Sequence, residues 1–461
     1  MDLAGSQRPF ETQGVFWVPD RPEHRVSGTL HFTQDGALEL RLIGTFGSCL
    51  LWETFPLLHG VVENAKCTLF NSAAGRLKSS RALTVSELRP KLAIIGEHLR
   101  STEEPVFTGA KVRFDCLDDW VDFPAFSVPK ADWVSEQGLS RFDISRQAEL
   151  SAEVDSLGCS ISLAGDQFGE FTTRQINWEH HSLLKIASRT PLNIQGFIEI
   201  VFQLGHLMSL LTWQRIRLAH LSFAHPRPGA GGDSGERDWC GLYGAFEPQG
   251  SSYPPTGWML TGLTDVQPFF PPILSAWFRL DKRLRDTLLL LTSLIQSEGQ
   301  FLEFEFLALV QIVEALHRIK EPQHYMPKET YEAVKVALIS AIPPTLSEAH
   351  RSSLKNKIKY GNELSLRTRV RKLCTQLPDS LRNIIASDPG KFTAMVVDGR
   401  NYLTHRDEDL AESELSPEQL RRTCQALKLL LTVLFLQDLG MPSDAIERIS
   451  HAQDWFSRHL A

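Results

Sequence analysis

No two of the seven cysteines lie within a C-x-x-C spacing: Cys49, Cys67, Cys116, Cys159, Cys240, Cys374 and Cys424 are scattered and odd in number. That pattern speaks against a disulfide framework and against a zinc cluster, and leaves the thiols as small buried hydrophobes. Positive charge is not in excess either, since 48 Lys and Arg stand against 55 Asp and Glu for a net charge of −7. The deficit lies wholly in residues 1–280, with 24 basic and 31 acidic side chains, whereas residues 281–461 carry 24 of each. Nothing in the global charge marks a nucleic-acid binder, so such a role has to rest on local patches. Long apolar runs are missing as well. "LLLLTSLI" and "LLLTVLFL" fall far short of the roughly 20 residues that span a bilayer, and no basic patch followed by an apolar stretch opens the sequence. The expectation is a cytoplasmic protein with no membrane partner.

What is present is a globular composition, 42% hydrophobic and 22% charged over 461 residues, too long for one core of ordinary size. The two halves differ in period. From Gly14 to about Ile176, short β-branched and aromatic runs are broken by Gly, Pro, Asp and Asn. "VSGTLHFTQDGALELRLIG" reads as a β-hairpin: Leu30 and Phe32 alternate with polar neighbours, Asp35-Gly36 supplies turn chemistry, and Leu38, Leu40 and Leu42 alternate again. "KCTLFNS", "KVRFDCL" and "CSISLAG" read as further strands, which predicts a β-rich, sandwich-like domain. Residues 192–221 have a more helical spacing, although their β-branched run leaves a strand open. Residues 225–275 concentrate Pro, Gly and Ser and read as a connector. Its "GAGGDSG" follows prolines rather than a strand and lacks a Lys-Ser/Thr ending, so it is read as a loop and not a phosphate cradle.

After residue 275 the spacing becomes helical. Leu284, Leu288, Leu291 and Ile295 share a face ahead of Gly299, and Phe306, Leu309, Val310, Val313 and Leu316 form a second stripe opposite Gln311, Glu314 and Arg318. Ser416-Pro417-Glu418-Gln419 is a capping box with Pro at N1; Leu420, Cys424, Leu427, Leu431 and Leu434 then form the buried stripe, closed by Gly440 and Pro442. The predicted architecture is an α+β multidomain chain, with residues 1–275 β-rich and residues 276–461 an all-α bundle.

One helix of that bundle carries a candidate site. In "VDGRNYLTHRDED", Ser387 or Asp388 can cap the helix, Pro389 suits its first turn, and Phe392, Val396 and Leu403 face the core. Asn401 and His405 are an i,i+4 pair, while Arg400 is offset from His405 by about 140° around the axis. One helix cannot easily aim both at one atom, but two copies about a two-fold axis can. Cleaving RNA without a metal needs a proton donor and acceptor working near neutral pH, which suits a histidine with an ordinary pKa of about 6.5. It also needs a fixed planar cation for the phosphate, which suits arginine. On those grounds His405 is the candidate acid/base, Arg400 the charge stabiliser and Asn401 a positioning amide. Gly399 would let a partner helix or a phosphate approach closely. The loose form, Arg, four to six residues, then His, also occurs at Arg25/His31, Arg174/His180, Arg174/His181, Arg215/His220 and Arg318/His324. Only 400–405 has the tighter R-N-x-x-x-H.

"RNYLTHRD" in a late helix, "FLALVQIVEALHR" upstream, and "GTLHFTQDGALELRLIG" and "HGVVENAKCTLFNS" in the first half together resemble the ApeA family of HEPN-domain proteins. The likeness covers nearly the whole chain, with residues from about 290 to 440 resembling the HEPN domain. It implies a helical bundle that commonly dimerises, a metal-independent ribonuclease motif R-x(4 to 6)-H with Arg400 and His405 as the catalytic pair, and Asn401 in the polar slot after the arginine. It further implies abortive-infection defence against phage, with the N-terminal domain sensing a phage-derived trigger. Some HEPN sites add an acid from an earlier helix, for which Glu314 is the candidate; a solvated helix face is its other reading. From His350 to Leu373, the basic residues Lys355, Lys357, Lys359, Arg367, Arg369 and Arg371, with Tyr360 for stacking, read as an RNA cradle or as an exposed basic face. No cofactor or metal is expected. Two further classes stay open: a non-catalytic sensor or binding protein, and a nucleotidyl- or phosphate-binding regulator.

Overall fold

The computed structural model describes residues 9–33, 35–46, 54–79, 84–127, 143–171, 174, 176–226, 238–244, 259–297, 299–321, 324–406 and 414–452. The chain forms two compact units, Met1–Arg279 and Leu280–Ala461. The first holds strands β1 (Phe10–Trp17), β2 (Val26–Phe32), β3 (Leu38–Ile43), β4 (Thr54–Val62), β5 (Ala65–Ser79), β6 (Thr84–Arg89), β7 (Leu92–Ile95) and β8 (Phe107–Phe114), then helix α1 (Leu117–Val121). After these come β9 (Phe126–Ser127), β10 (Asp143–Ile144), β11 (Leu150–Val154), β12 (Cys159–Phe171) and β13 (Ile176–Leu192). Helix α2 (Ile194–Thr212), strands β14 (Leu218–His225) and β15 (Asp238–Gly244), and helices α3 (Leu263–Val266) and α4 (Phe270–Arg279) complete the unit.

Thirteen of these strands form one sheet, β11-β12-β13-β8-β14-β15-β7-β5-β4-β1-β2-β3-β6, and an additional β5–β6 pairing closes part of it on itself. The closure comes from the length of β5. Its first half pairs with β4 and β7, and its second half, from Ala73 to Ser79, pairs with β6. The result is a six-stranded barrel continuous with an open lobe, so the sandwich-like expectation takes the form of one curled sheet. Strict alternation builds the barrel core, as on β3, where Leu38, Leu40 and Leu42 are buried and their neighbours exposed. The expected hairpin is present: β2 and β3 pair antiparallel, the Thr33 amide donates to Ala37 O, and Gly36 sits at φ +81°.

The helical reading of residues 192–221 holds as far as Thr212, after which the chain returns to strand as β14. Helix α2 is long and apolar enough to cross a membrane, but much of it is buried inside the unit as a core helix. Phe197 packs at 5.6 Å from Phe223 of β14, and Gly205 faces Phe114 of β8. The region read as a connector is more ordered than its composition implies. β15 runs through it, paired on both edges, and "QPFFPPI" leads into α4, where proline is tolerated because the first helical N–H groups need no partner. The "GAGGDSG" loop lies outside the described residues. Six cysteines are buried, and Cys49 lies outside the described residues.

The second unit is helical: α5 (Lys282–Gln296), α6 (Leu302–Lys320), α7 (Lys328–Ser340), α8 (Glu348–Lys359), α9 (Leu366–Thr375), α10 (Asp379–Ile385), α11 (Pro389–His405), α12 (Pro417–Asp438) and α13 (Ser443–Ala452). Local chemistry sets several ends. Asp281 caps α5, Ser365 caps α9, Asp388 caps α11 with Pro at N1, and Ser416 with Gln419 forms the capping box of α12. The core is the expected set of stripes, with Phe306, Leu309, Val310, Val313 and Leu316 of α6 buried alongside Leu420, Leu427, Leu431 and Leu434 of α12.

Candidate functional site

Helix α11 places the Arg-Asn-His segment. The Asp388 carboxylate accepts from the Lys391 amide at 2.9 Å, while Phe392, Thr393, Val396 and Gly399 turn inward. A Cβ on Gly399 would lie 2.9 Å from Leu415 Cδ1 and 3.5 Å from Phe306 Cζ. The missing side chain therefore admits the chain's own Leu415 and Phe306, a different use from the approach of a partner helix or phosphate. Beyond His405 the helix stops because Arg406 adopts a left-handed conformation, φ +51°, its amide donating to Tyr402 O.

His405 is exposed on the last helical turn, and Arg400 and Asn401 are half-buried. The Arg400 guanidinium donates from Nη1 to Asn401 Oδ1 at 3.2 Å. Because Asn401 and His405 share a face, this contact swings the guanidinium part of the way across the angular offset. Arg400 and His405 make no direct contact within the chain among the described residues.

Two of the competing arginines are committed elsewhere. Arg25 lies over the Trp17 ring at 4.8 Å, and Arg318 is paired with Glu314 at 2.9 Å and Glu363 at 3.0 Å. Arg400 has no carboxylate partner among the described residues. A cation without a carboxylate, beside an exposed imidazole, leaves donors free for a phosphate. A purely structural pair would be buried against its own core, and His405 is not.

The other expected site residues separate. Glu314 binds Arg318 on its own helix and has no hydrogen bond or ion pair with Arg400, Asn401 or His405 among the described residues. The packing explains why. Phe306 meets Gly399, while Glu303, one turn earlier in α6, lines a small cleft with Tyr402, Leu403 and Arg406, so α6 runs opposite to α11. Glu314, eight residues beyond Phe306, lies about 12 Å past the Gly399 level, on the side away from the His405 end. Among the described residues, the carboxylates in the cleft at that end are Glu303 and Glu414. No local sequence signal marks them.

The basic stretch divides across two helices. Lys355, Lys357 and Lys359 lie on α8, followed by an exposed Tyr360 whose ring faces Lys359 Nζ at 5.3 Å. On α9, Arg371 is exposed, and Arg367 pairs at 2.9 Å with Asp398 of α11, one turn before Asn401. Arg369 is a correction to the cradle: it is only 3% exposed, donating from Nε to Leu364 O and from Nη1 to His317 Nδ1 at 3.2 Å. It turns inward because the stripe Arg369, Val370, Leu373 and Cys374 is the buried face of α9. Burial and then the Arg369 charge push the His317 pKa below its ordinary value, which keeps the ring neutral as an acceptor.

No cluster of three or more His, Cys, Asp or Glu side chains fit to hold a metal occurs among the described residues. Compared with known proteins, residues 11–277 match the family model of ApeA N-terminal domain 1, and residues 307–445 match that of the Apea-like HEPN. No curated protein and no solved structure matches the chain.

Proposed function

The chain belongs to the ApeA N-terminal domain 1 family and carries an Apea-like HEPN domain, and on that premise we propose that it is a metal-independent endoribonuclease of an anti-phage abortive-infection system. HEPN domains are generally ribonuclease-associated, so a coarse nuclease role follows from the family, and the defence context from the ApeA match. The observation that carries the finer reading is the Arg400–Asn401 contact beside an exposed His405 at the end of α11.

His405 acts as general acid or base on the 2′-hydroxyl or the leaving oxygen, and Arg400 stabilises the charge that develops on the phosphate. Asn401 orients the guanidinium, and Arg367, held by Asp398, adds a cation one turn away. The toxin works in the cytoplasm and is held inactive until the N-terminal unit senses a phage-derived trigger. A homodimer through the helical unit is part of this reading. It is supported by Phe301 and Phe304, 73% and 69% exposed, which flank Glu303 beside the His405 end of α11. Exposed aromatics of that size suit a covering chain.

The test uses bulk cellular RNA with a chelator present. The wild type is expected to cleave, and His405→Ala and Arg400→Ala are each expected to lose at least about 100-fold. Cleavage that persists in both variants, or that disappears on chelation, sinks the mechanism. On overexpression the wild type should arrest growth and His405→Ala should not.

A further inference from the structure

The open lobe of the sheet carries a second cluster of charge that the nuclease reading does not use. Paired residues on neighbouring antiparallel strands share a face. The register sets Ser162, Lys185, Lys111 and Ser222 in one row across β12, β13, β8 and β14, and pairs Arg113 with His220 two residues further along β8. Lys185 and Lys111 are therefore directly opposed like charges, an arrangement that destabilises a sheet unless something neutralises it.

Of these cations, Lys111 makes an ion pair within the chain, and the Arg113 charge acts at longer range on Asp118. Lys111 Nζ lies 2.5 Å from Asp166 Oδ2 and 4.7 Å from the centre of the Trp239 ring. Lys111 and Asp166 stand on strands separated by β13 and well out of register, so their contact requires the sheet to curl toward this face. Lys185 and Arg113 are half-buried and have no ion-pair partner among the described residues. The neighbouring acids are engaged: Glu149 accepts from Ser162 Oγ at 2.5 Å, and Asp118 binds His181 and the Ser182 amide. His220 has Nε2 3.1 Å from Ser222 Oγ, while its Nδ1 is buried with no partner. When the Ser222 hydroxyl donates to Nε2, Nδ1 keeps its hydrogen as an unused donor. The opposite face of these strands is apolar, with Ala110, Val112, Leu184, Leu221 and Phe223 all buried.

We propose that this concave face of β8, β13 and β14 binds a phosphorylated ligand with at least two linked phosphates. Lys185 and Arg113 supply the charge, Lys111 forms the wall with Trp239, and His220 gives a neutral donor. The spacing fits, since Lys185 and Lys111 stand about 5 Å apart across strands and Lys111 and Arg113 about 7 Å apart along one. A single phosphate reaches only one such pair. The proposal does not rest on RNA cleavage and is tested without it.

The full chain is titrated calorimetrically with inorganic pyrophosphate, inorganic phosphate and ATP, in wild type and in the Lys185→Met, Arg113→Gln and Arg189→Gln variants. Arg189 is an exposed arginine already paired with Glu153 and Asp155, and serves as the control. The expected result is saturable binding of pyrophosphate, at least tenfold weaker in Lys185→Met and in Arg113→Gln and unchanged in Arg189→Gln. ATP binding more tightly than pyrophosphate identifies a nucleotide, and equal binding identifies the phosphate chain alone. A second readout guards against misfolding: without ligand, Lys185→Met should unfold at or above the wild-type temperature, because one of two opposed like charges is gone. Wild type that binds none of the three probes overturns the proposal, as do variants that bind like wild type or a Lys185→Met that is less stable without ligand.

Discussion

The two units put the same residue types to different uses. In the barrel of the sheet unit, histidines are absorbed into the architecture. His59 and His98 stack at 4.5 Å with each Nε2 bonded to a backbone carbonyl, and Trp17 sits edge-on to both. In the helical unit, Arg369 and His317 are likewise consumed, but Arg400 bonds only the Asn401 amide among the described side chains and His405 stays exposed at the helix end. An Arg/His pair becomes a candidate for chemistry only where the fold leaves its donors unspent. In the barrel, neighbouring strands satisfy these side chains across the register, whereas a helix terminus projects them past the last turn.

That contrast is broken first at Arg369. Arg369→Ala should destabilise the helical unit by about 2–3 kcal/mol, because His317 and the Leu364 carbonyl lose a buried donor. Arg400→Ala should stay within about 0.5 kcal/mol. Urea unfolding read by hydrogen exchange in each unit distinguishes the two, and equal effects would erase the distinction between spent and unspent arginines.

Acid gives the next largest effect. Burial pushes His206 down to about 4, and burial followed by the Arg113 and Lys111 charges does the same to His220. Both belong to the sheet unit. The folded pKa lies below the unfolded value of about 6.5, so the unfolded chain takes up protons first as pH falls. Their stabilising contribution is whole above pH about 6.5 and is lost progressively down to about 4, on the order of 3 kcal/mol each. The sheet unit should therefore lose exchange protection between pH 7 and 4.5 before the helical unit, where His317 is the buried counterpart. Earlier loss in the helices would contradict it.

Smaller effects separate the acids and the basic faces. Glu303→Gln is expected to change cleavage several-fold and Glu314→Gln by less than twofold, since of these two acids it is Glu303 that lines the cleft at the His405 end. A larger effect from Glu314 would mean that α6 and α11 pack in another register. Arg371→Gln should weaken RNA binding uniformly and lower the salt slope by about one, measured as affinity against salt concentration.

Much of the local structure was legible because its causes are local. The β2–β3 hairpin follows from alternation around Asp35-Gly36, and α11 and α12 begin where Asp388 and Ser416 can accept backbone N–H groups. The motif R-N-x-x-x-H was legible for the same reason, as a spacing within one helix. Long-range pairing was not. Closure of the barrel depends on β5 being long enough to serve two partners, and the place of Glu303 depends on α6 running opposite to α11. Arg369 read as one more surface cation until α9 turned that face inward.

By itself, then, the sequence determined the change from two-residue to helical period, the caps, the stripes and the single tight Arg-Asn-His segment, all of which depend on neighbours within a few residues. Only the tertiary structure decided which arginines are spent, which acids line the cleft at the end of α11, and that Lys111, Lys185 and Arg113 share one face. Those outcomes depend on which distant strands and helices meet, and no spacing along the chain records that.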